Sequence, residues 1–238
     1  MLEVKCLKKD FGGLHAVKGI SFSVAKGEVL GFLGPNGAGK STTMRMITGF
    51  LPPTSGTAVV CGHDIVADPV AAKRCIGYLP ESAPSYRAMT VEDFLSFIAA
   101  ARGLRDPKAR VEAVIREASL EPVAKRTIET LSKGYRQRVC FAQAIIHDPQ
   151  VLIMDEPTDG LDPNQKFTVR EMIRKMAADK AIIISTHILE EVDAVCTRAI
   201  VIADGEIKAD GTPEKLRSMD PSGSLDVVFR NLTMKEAK

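Results

Sequence analysis

Apolar and polar residues alternate along residues 2–8 and 20–24, a pattern that is typical of half-buried strands. The continuous apolar run at residues 29–33 instead predicts a strand that is covered on both faces. Further short apolar runs, each predicted to form a strand, lie at residues 58–61, 75–79, 151–155, 181–185 and 199–202.

Longer stretches with helical spacing of apolar residues lie between the later strands. Thr90 and Asp93 match a capping box at the start of one stretch, and Pro107 suits the first turn of another. The predicted helices cover residues 41–50, 90–104, 107–120, 132–146, 163–178 and 189–196. Because strands alternate with helices, the sequence predicts an α/β fold with a mainly parallel, helix-covered sheet, interrupted by a helical insert. The polar residues 218–224 predict a hinge before a short C-terminal tail.

Composition narrows the class of protein only modestly. The 238 residues are 45% apolar and 26% charged, which is ordinary for a soluble globular protein. A net charge of +2 neither supports nor excludes a nucleic-acid partner. Aromatic residues make up 5% of the chain, and no segment interleaves them with basic residues as a base-stacking surface would. We therefore expect no nucleic-acid partner.

The cysteine pattern and the N-terminus bear on the compartment. The five cysteines are scattered and form no C-x-x-C pair, which argues against a disulfide framework or a zinc site and fits a reducing cytosol. The N-terminus has no apolar stretch that resembles a signal peptide. No run approaches the roughly 18 apolar residues that span a bilayer. We therefore expect a protein that neither crosses the membrane nor is secreted by that route.

The glycine-rich stretch GPNGAGKS at residues 34–41 matches the phosphate-binding pattern G-x-x-x-x-G-K-[ST]. Glycines let phosphates approach the backbone, and the following helix start adds its positive end. Lys40 is then a point charge for the β- and γ-phosphates, and the Ser41 hydroxyl is a ligand for Mg²⁺. An ordinary strand–turn–helix connection is the alternative. The dinucleotide pattern G-x-G-x-x-G does not fit, because Asn36 occupies its second glycine position.

Two adjacent acids, Asp155 and Glu156, end the apolar run VLIM. The simple interpretation is that the strand reaches the surface there and water solvates both carboxylates. A bound nucleotide gives them another use, because its Mg²⁺ requires a carboxylate nearby. Adjacent strand residues point to opposite faces, so the two acids cannot share one role. We therefore predict that Asp155 serves the Mg²⁺ shell and that Glu156 is a general base for the attacking water.

Further motifs follow the glycine-rich stretch in a fixed order. They are LSKGYRQR at residues 131–138, LIMDEPTDGLD at residues 152–162 and STH at residues 185–187. This ordered set resembles the ATP-binding subunits of ABC transporters over nearly the whole chain. With YLPE and DPNQK, it is most similar to subunits of exporters of the gliding-motility and nitrous-oxide-reductase-maturation kind.

The resemblance implies a P-loop NTPase fold with a RecA-like core, an N-terminal antiparallel β part and a helical subdomain. The implied ABC ATPase domain covers residues 1–217, with its core at 1–84 and 131–217 and its helical subdomain at 85–130. A short tail covers residues 218–238.

The resemblance also implies a function. Such subunits close as a head-to-tail dimer around two ATP molecules and hydrolyse them with Mg²⁺. The expected partners are a second ATPase subunit, in a homodimer, and an integral-membrane permease through which the protein powers transport, in the direction of export. The implied location is cytoplasmic, peripheral on the inner face of the cell membrane.

The motifs assign site residues by resemblance. The implied nucleotide contacts are Phe11, Val17, Gly34, Pro35, Asn36, Gly37, Ala38, Gly39, Lys40, Ser41 and Thr42. The implied catalytic residues are Lys40, Glu156 and His187. Contacts across the dimer are expected from Leu131, Ser132, Lys133, Gly134, Tyr135 and Asp162, and metal contacts from Ser41, Asp155 and Glu81.

The chain departs from the usual family pattern at several positions. Phe11 replaces a Tyr that stacks on adenine, and a Phe ring face can do the same. Lys133 replaces a Gly, and Tyr135 replaces a Gln. Glu81 replaces a Gln that usually touches Mg²⁺, which adds a negative charge beside the γ-phosphate.

Two other functions fit parts of the pattern. A soluble ABC ATPase that acts on ribosomes or DNA usually has two fused ATPase units or a long coiled-coil insert, and this chain has neither. A nucleotide-binding regulatory module without turnover would not need Lys40, Asp155, Glu156 and His187 together. A small GTPase is disfavoured because the chain has no N-K-x-D segment.

Overall fold

The computed structural model describes residues 1–81 and 86–234. The predicted boundary between core and helical subdomain, at residues 84 and 85, and the last four residues of the predicted tail lie outside the described residues. The strands are β1 (Leu2–Phe11), β2 (Leu14–Val24), β3 (Val29–Leu33), β4 (Ser55–Val60), β5 (His63–Asp64), β6 (Ile76–Leu79), β7 (Val151–Asp155), β8 (Ala181–Thr186), β9 (Arg198–Ala203) and β10 (Glu206–Gly211).

The helices alternate with these strands as the sequence predicts. They are α1 (Lys40–Ile47), α2 (Pro69–Arg74), α3 (Val91–Ala101), α4 (Pro107–Glu117), α5 (Lys133–Ile145), α6 (Pro163–Ala177), α7 (Leu189–Val195), α8 (Pro213–Arg217) and α9 (Leu225–Thr233). Two short 3-10 turns, Glu121–Val123 and Ile128–Thr130, precede α5. In the described part of the chain, no helix has the length and apolar character that crossing a bilayer requires.

The N-terminal sheet is antiparallel, in the order β2-β1-β4-β5. The first two strands are longer than the two segments that the alternation predicts, because they continue into a hairpin with exposed residues on both arms. Gly12 and Gly13 form its turn with φ values of 52° and 105°. Positive φ at both central residues suits the twist of a two-residue hairpin. The predicted antiparallel part is confirmed.

The second sheet has the order β10-β9-β3-β8-β7-β6, and every neighbouring pair except β10 with β9 is parallel. All residues of β3, β7 and β8 are buried, as continuous apolar runs predict for strands that helices cover on both faces. The prediction of a mainly parallel, helix-covered sheet is confirmed. Because β3, β8 and β7 are neighbours, the segments that follow their carboxyl ends meet at one edge of the sheet.

The helical insert packs its apolar residues into the same core as α5 and β7. Phe94, on α3, and Phe141, on α5, are each 1% exposed in this cluster. Thr90 caps α3, where its hydroxyl accepts from the Asp93 N–H at 3.1 Å. Asp106 caps α4, which starts at Pro107. Both predicted helix starts are present, so the insert presents a fixed surface beside the sheet edge.

The segment predicted as a tail contains a folded helix. Residues 218–224 form bends and turns, and their role as a hinge stays a prediction. After them, α9 buries Leu225 and Val228, and Leu225 belongs to the apolar cluster that contains Val201 of β9 and Leu216 of α8. The apolar spacing of SLDVVFRNL explains this docking, because two buried residues three positions apart lie on one helix face. The division of the chain into domain and tail stays a prediction.

Candidate active site

The glycine-rich loop between β3 and α1 fits closely against its surroundings. Gly37 and Gly39 have φ values of 81° and 102°, which glycine adopts without strain. A Cβ on Gly39 would lie 2.5 Å from the carbonyl oxygen of Ala16 in β2, and a Cβ on Gly34 would collide with the backbone of Ile202. The loop therefore needs glycine both for its dihedral angles and for its close approach to two strands.

A pocket of about 680 Å³ opens above this loop. This volume is within the range of small-molecule sites. The residues that line it are Phe11, Leu14, Ala16, Asn36, Gly37, Gly39, Lys40, Ser41, Thr42, Glu81, Glu156, Asp159 and His187. Ten of these residues are among those predicted from the sequence. The fold therefore gathers residues from β1, β2, the loop, α1 and the segments after β6, β7 and β8.

Some predicted nucleotide contacts lie behind the pocket wall. Val17 is completely buried, and its Cγ2 would lie 3.3 Å from a Cβ on Gly39, so it supports the loop from below. Gly34, Pro35 and Ala38 form the inner side of the loop and do not line the pocket. Gly34 and Pro35 contribute carbonyl groups to the site instead. These residues shape the loop rather than touch the pocket interior.

The Lys40 ammonium is held inside the loop. Its side chain is 6% exposed, and Nζ donates to the carbonyl oxygens of Gly34 at 2.7 Å and Pro35 at 3.2 Å. The Glu156 Oε1 atom lies 3.7 Å from Nζ. Burial lowers the pKa of Lys40, and the negative charges of Glu156 and Asp155 oppose that shift. A desolvated cation of this kind interacts strongly with an anionic ligand, because little water screens it.

Asp155 is the last residue of β7 and is 1% exposed. Its Oδ1 accepts hydrogen bonds from the Ser185 hydroxyl and from the Ser41 hydroxyl, the latter at 3.3 Å. Hydroxyl and carboxylate oxygens are ligands that Mg²⁺ prefers. Within residues 1–81 and 86–234, no group of three or more metal-ligating side chains is present. Ser41 and Asp155 thus place two oxygen ligands of the kind that Mg²⁺ prefers side by side at the pocket.

Glu156 follows the strand in a left-handed conformation, with φ of 51°. Its backbone N–H donates to the Ser185 carbonyl at 3.0 Å, which fixes the turn. Its side chain contacts Lys40 through Oε1 and the His187 Nδ1 atom through Oε2, the latter at 2.9 Å. Asp155 and Glu156 thus contact different groups, one the Ser41 side and the other the Lys40 and His187 side. This separation supports the prediction that the two acids have different roles.

Glu81 is the third carboxylate of the pocket, and it differs from the other two in exposure. It lines the pocket but is exposed to solvent, whereas Asp155 is buried and the Glu156 side chain is 10% exposed. Water therefore screens the Glu81 charge. Lys40 counters Glu156 directly, while Asp155 is stabilised by hydroxyl donors. One lysine is therefore enough beside three acids, because only the Glu156 carboxylate is neutralised by Lys40 at close range.

The residues predicted to act across a dimer lie away from this pocket. Ser132 caps α5, where its hydroxyl accepts from the Tyr135 N–H at 3.4 Å, and Asp162 caps α6. Gly134 packs so closely under Gln165 that a Cβ would collide with it. None of the six predicted residues lines the described pocket of its own chain. Their assignment to a second subunit stays a prediction.

Three residues that line the pocket are not among the nucleotide, catalytic or metal contacts that the sequence predicts. Leu14 and Ala16 come from β2 and reach the pocket because the hairpin folds beside the loop. Leu14 is 66% exposed, and a large apolar residue at a hairpin turn was the available signal. Asp159 lies within TDGLD, and the resemblance implies that residues 159–162 connect the two sites across the dimer, which stays a prediction. The base end of the pocket is therefore more apolar than the sequence indicates.

Replacing Phe11 with Ala should weaken nucleotide binding. The Phe11 ring is 46% exposed on the pocket wall and would offer a face to a purine base. Loss of one stacking contact corresponds to about 1–3 kcal/mol, so we expect Kd to rise about tenfold. Phe11→Tyr, which keeps the ring face, should bind like the original. Equilibrium titration with ATP measures both, and equal affinity of Phe11→Ala would contradict the stacking role.

Comparisons with known proteins show the family of the chain. The chain matches the profile of the family described as "ABC transporter" over residues 17–159. It is 40% identical over 92% of its length to the linearmycin resistance ATP-binding protein LnrL of Bacillus subtilis (strain 168), covering 71% of that protein. It is 38% identical over 90% of its length to the Nod factor export ATP-binding protein I of Rhizobium sp. (strain N33), covering 72% of it.

A solved structure described as "Structure of ATP binding subunit of ABC transporter" has the same fold. It superposes with a TM-score of 0.87 at 32% sequence identity, and the match covers 98% of this chain and all 100% of that chain. The agreement extends through the described helical insert and the C-terminal helix because nearly the whole chain is aligned.

Proposed function

Because the chain belongs to the ABC transporter family, we propose that it is the subunit that binds and hydrolyses ATP and so powers transport through a separate membrane-spanning permease. One observation carries this proposal. Lys40, Glu156 and His187 line a single pocket beside the glycine-rich loop, although they lie far apart in sequence. Folding and packing alone do not require that a lysine, an acid and a histidine lie together at the carboxyl edge of a sheet.

Each residue of the site has its own role in the proposed reaction. The loop N–H groups and the start of α1 receive the triphosphate, and Lys40 neutralises charge on it. Glu156 accepts a proton from the attacking water, which contributes about 10²–10⁴-fold in rate. His187 holds the Glu156 carboxylate through the 2.9 Å contact of its Nδ1 atom. When bound, Mg²⁺ would be held by Ser41 and Asp155 and would supply Lewis-acid stabilisation of phosphate charge.

The active assembly that we propose is a head-to-tail pair of two copies of this chain. Ser132 is exposed at the start of α5, outside the pocket of its own chain. A helix start with free N–H groups is suited to an anion. In the pair, the start of α5 of each copy covers the ATP that the other copy holds. Each site then takes its phosphate contacts from both copies.

Export is the direction that we propose. The relatives whose names carry a role are linked to resistance and to export. We propose more narrowly that the chain serves an exporter of the gliding-motility and nitrous-oxide-reductase-maturation kind. In this arrangement the chain binds the permease at the cytoplasmic face of the membrane, and the permease selects the cargo.

Affinity purification from detergent-solubilised membranes tests this proposal. The tagged full chain should retain an integral-membrane protein with several apolar helices, and the unfused tag should not. Phosphate release by the purified complex should depend on ATP and Mg²⁺. Recovery of ribosomal RNA or DNA without a membrane protein would instead support a soluble ABC ATPase. A complex that binds ATP but releases no phosphate would identify a regulatory module.

A further inference from the structure

A buried ion pair joins α6 to α7, the helix that begins just after His187. Glu191, on α7, is 1% exposed. The Arg170 guanidinium, on α6, donates to both oxygens of the Glu191 carboxylate, from Nε at 3.2 Å and from Nη2 at 2.7 Å. Within residues 1–81 and 86–234, Arg170 is the only cation that forms an ion pair with Glu191. The charge of this buried carboxylate therefore depends on one arginine.

The free energy of folding alone does not explain a charged pair at this place. A buried carboxylate loses its hydration, and its partner offsets only part of that loss. Apolar side chains of similar volume often replace such a pair without loss of stability. The hydrogen bonds to Glu191 raise the pKa of Arg170, so the pair stays ionised at neutral pH. The paired charges instead give directional bonds between α6 and α7, which apolar packing would not supply.

The backbone between β8 and Glu191 is short. His187 follows β8 directly, and Glu191 comes four residues later. The Ile188 N–H donates to the Thr186 hydroxyl at 3.0 Å, and the Glu191 N–H donates to the Ile188 carbonyl at 3.2 Å. Strand β8 fixes this segment at one end, and the ion pair fixes it at the other. A shift of α7 would therefore move His187.

The His187 side chain has few contacts of its own. It is 44% exposed, and its Nδ1 atom lies 2.9 Å from Glu156 Oε2. In the part of the chain that the structure describes, this is its only side-chain hydrogen bond. An exposed side chain with one such contact takes its position mainly from the backbone that carries it. The placement of α7 therefore determines how closely His187 approaches the proposed general base.

We propose that Arg170 is a positioning residue for ATP hydrolysis, which acts through Glu191 on the position of His187. The two bonds of the guanidinium fix both the distance and the rotation of α7 relative to α6. With α7 fixed, His187 holds the Glu156 carboxylate in the orientation that proton transfer from water requires. This inference rests on the proposed ATPase function and adds to it a residue that does not line the pocket.

A variant without either charge separates positioning from stability. Arg170→Met combined with Glu191→Leu keeps similar volume and leaves no buried charge unpaired, so the chain should fold. In the purified complex with the permease, kcat for ATP hydrolysis should fall about 10–100-fold, because a displacement of about 1 Å in a catalytic group has effects of this size. The Kd for ATP should stay unchanged. Arg170→Lys keeps the charge but not the fork of donors, so its kcat should be intermediate.

A second comparison tests whether the pair acts through His187. His187→Ala should itself lower kcat, and the paired substitution at 170 and 191 should lower it no further in that background, because residues that act in one network are not additive. The matched control is Arg230→Met combined with Asp226→Leu, which removes an exposed ion pair on α9. The control should hydrolyse ATP at the original rate.

The outcomes separate this inference from the proposed function. If the paired variant at 170 and 191 has the original thermal stability and the original kcat, the pair has a structural role only and the inference is overturned. An additional decrease of kcat in the His187→Ala background also overturns it. If the paired variant does not fold, Arg170→Lys decides the question, and an original kcat in that variant is the contradicting result. A complex of the original chain that releases no phosphate would overturn the proposed function as well.

Discussion

Glu156→Gln is expected to reduce the rate of ATP hydrolysis by about 10²–10⁴-fold while ATP binding persists. The substitution removes the proton acceptor and keeps the size and shape of the side chain. It also leaves the left-handed turn at φ of 51° with the same backbone hydrogen bond to Ser185. Because binding and closure precede hydrolysis, the variant should accumulate as an ATP-bound dimer that the original chain forms only transiently.

Two measurements check this expectation. Single-turnover phosphate release gives the rate, and sedimentation with ATP and Mg²⁺ gives the population of dimer. Glu112→Gln changes an exposed acid on α4 and is the matched control, with both quantities unchanged. Hydrolysis by Glu156→Gln at the original rate would show that another group activates the water. Loss of ATP binding would show that Glu156 matters for the loop around Lys40 instead.

The two oxygens of the Glu156 carboxylate contact different residues. The Nδ1 atom of His187 is 2.9 Å from Glu156 Oε2, while Lys40 approaches Oε1 at 3.7 Å. The carboxylate therefore has a partner on each oxygen. A glutamine at position 156 has one acceptor oxygen and one donor nitrogen, so it cannot accept from Lys40 and His187 together as the carboxylate can. Loss of turnover in this variant thus reports on the charge of the carboxylate and on its orientation.

The sequence predicts the central sheet well because its strands are buried on both faces. Residues 29–33 and 151–155 were predicted with the observed bounds, since a continuous apolar run admits few other structures. The sequence pattern does not predict several short elements at the edges of the fold. Among the described residues, strand β10 pairs only with β9, and it alternates buried and exposed residues over a short length. The short helices α2 and α8 offer too few turns for a periodic pattern.

The candidate site also contains residues that the sequence predicts and residues that it does not. Motif residues such as Lys40 and Glu156 could be predicted, because phosphate chemistry requires specific residue types at fixed spacing. Leu14 and Asp159 could not, because they reach the pocket through tertiary packing of a hairpin and a turn. The contact of Lys133 with Asp159 likewise depends on how α5 lies beside the segment that follows β7. The spacing of residues along the sequence does not indicate the distance between these two side chains.

Lys40→Met is the second large effect that we expect, and it concerns binding. Lys40 is 6% exposed and would form charged hydrogen bonds to two phosphate groups of ATP. Each such bond contributes about 1.5–3 kcal/mol, so Kd for ATP should rise about 100-fold or more. Methionine fills similar space, so thermal unfolding should show that the loop remains folded. Lys108→Met is the matched surface control and should bind ATP normally.

The pH dependence of binding gives an independent test of Lys40. Burial lowers its pKa below that of an ordinary lysine, so the empty site loses this positive charge at a less alkaline pH. ATP affinity of the original chain should therefore start to fall below the pKa of an exposed lysine, as the cation that attracts phosphate disappears. Lys40→Met has no proton to lose at this position, and its weak binding should lack this alkaline decline. An identical decline in both proteins would assign the titration to another group.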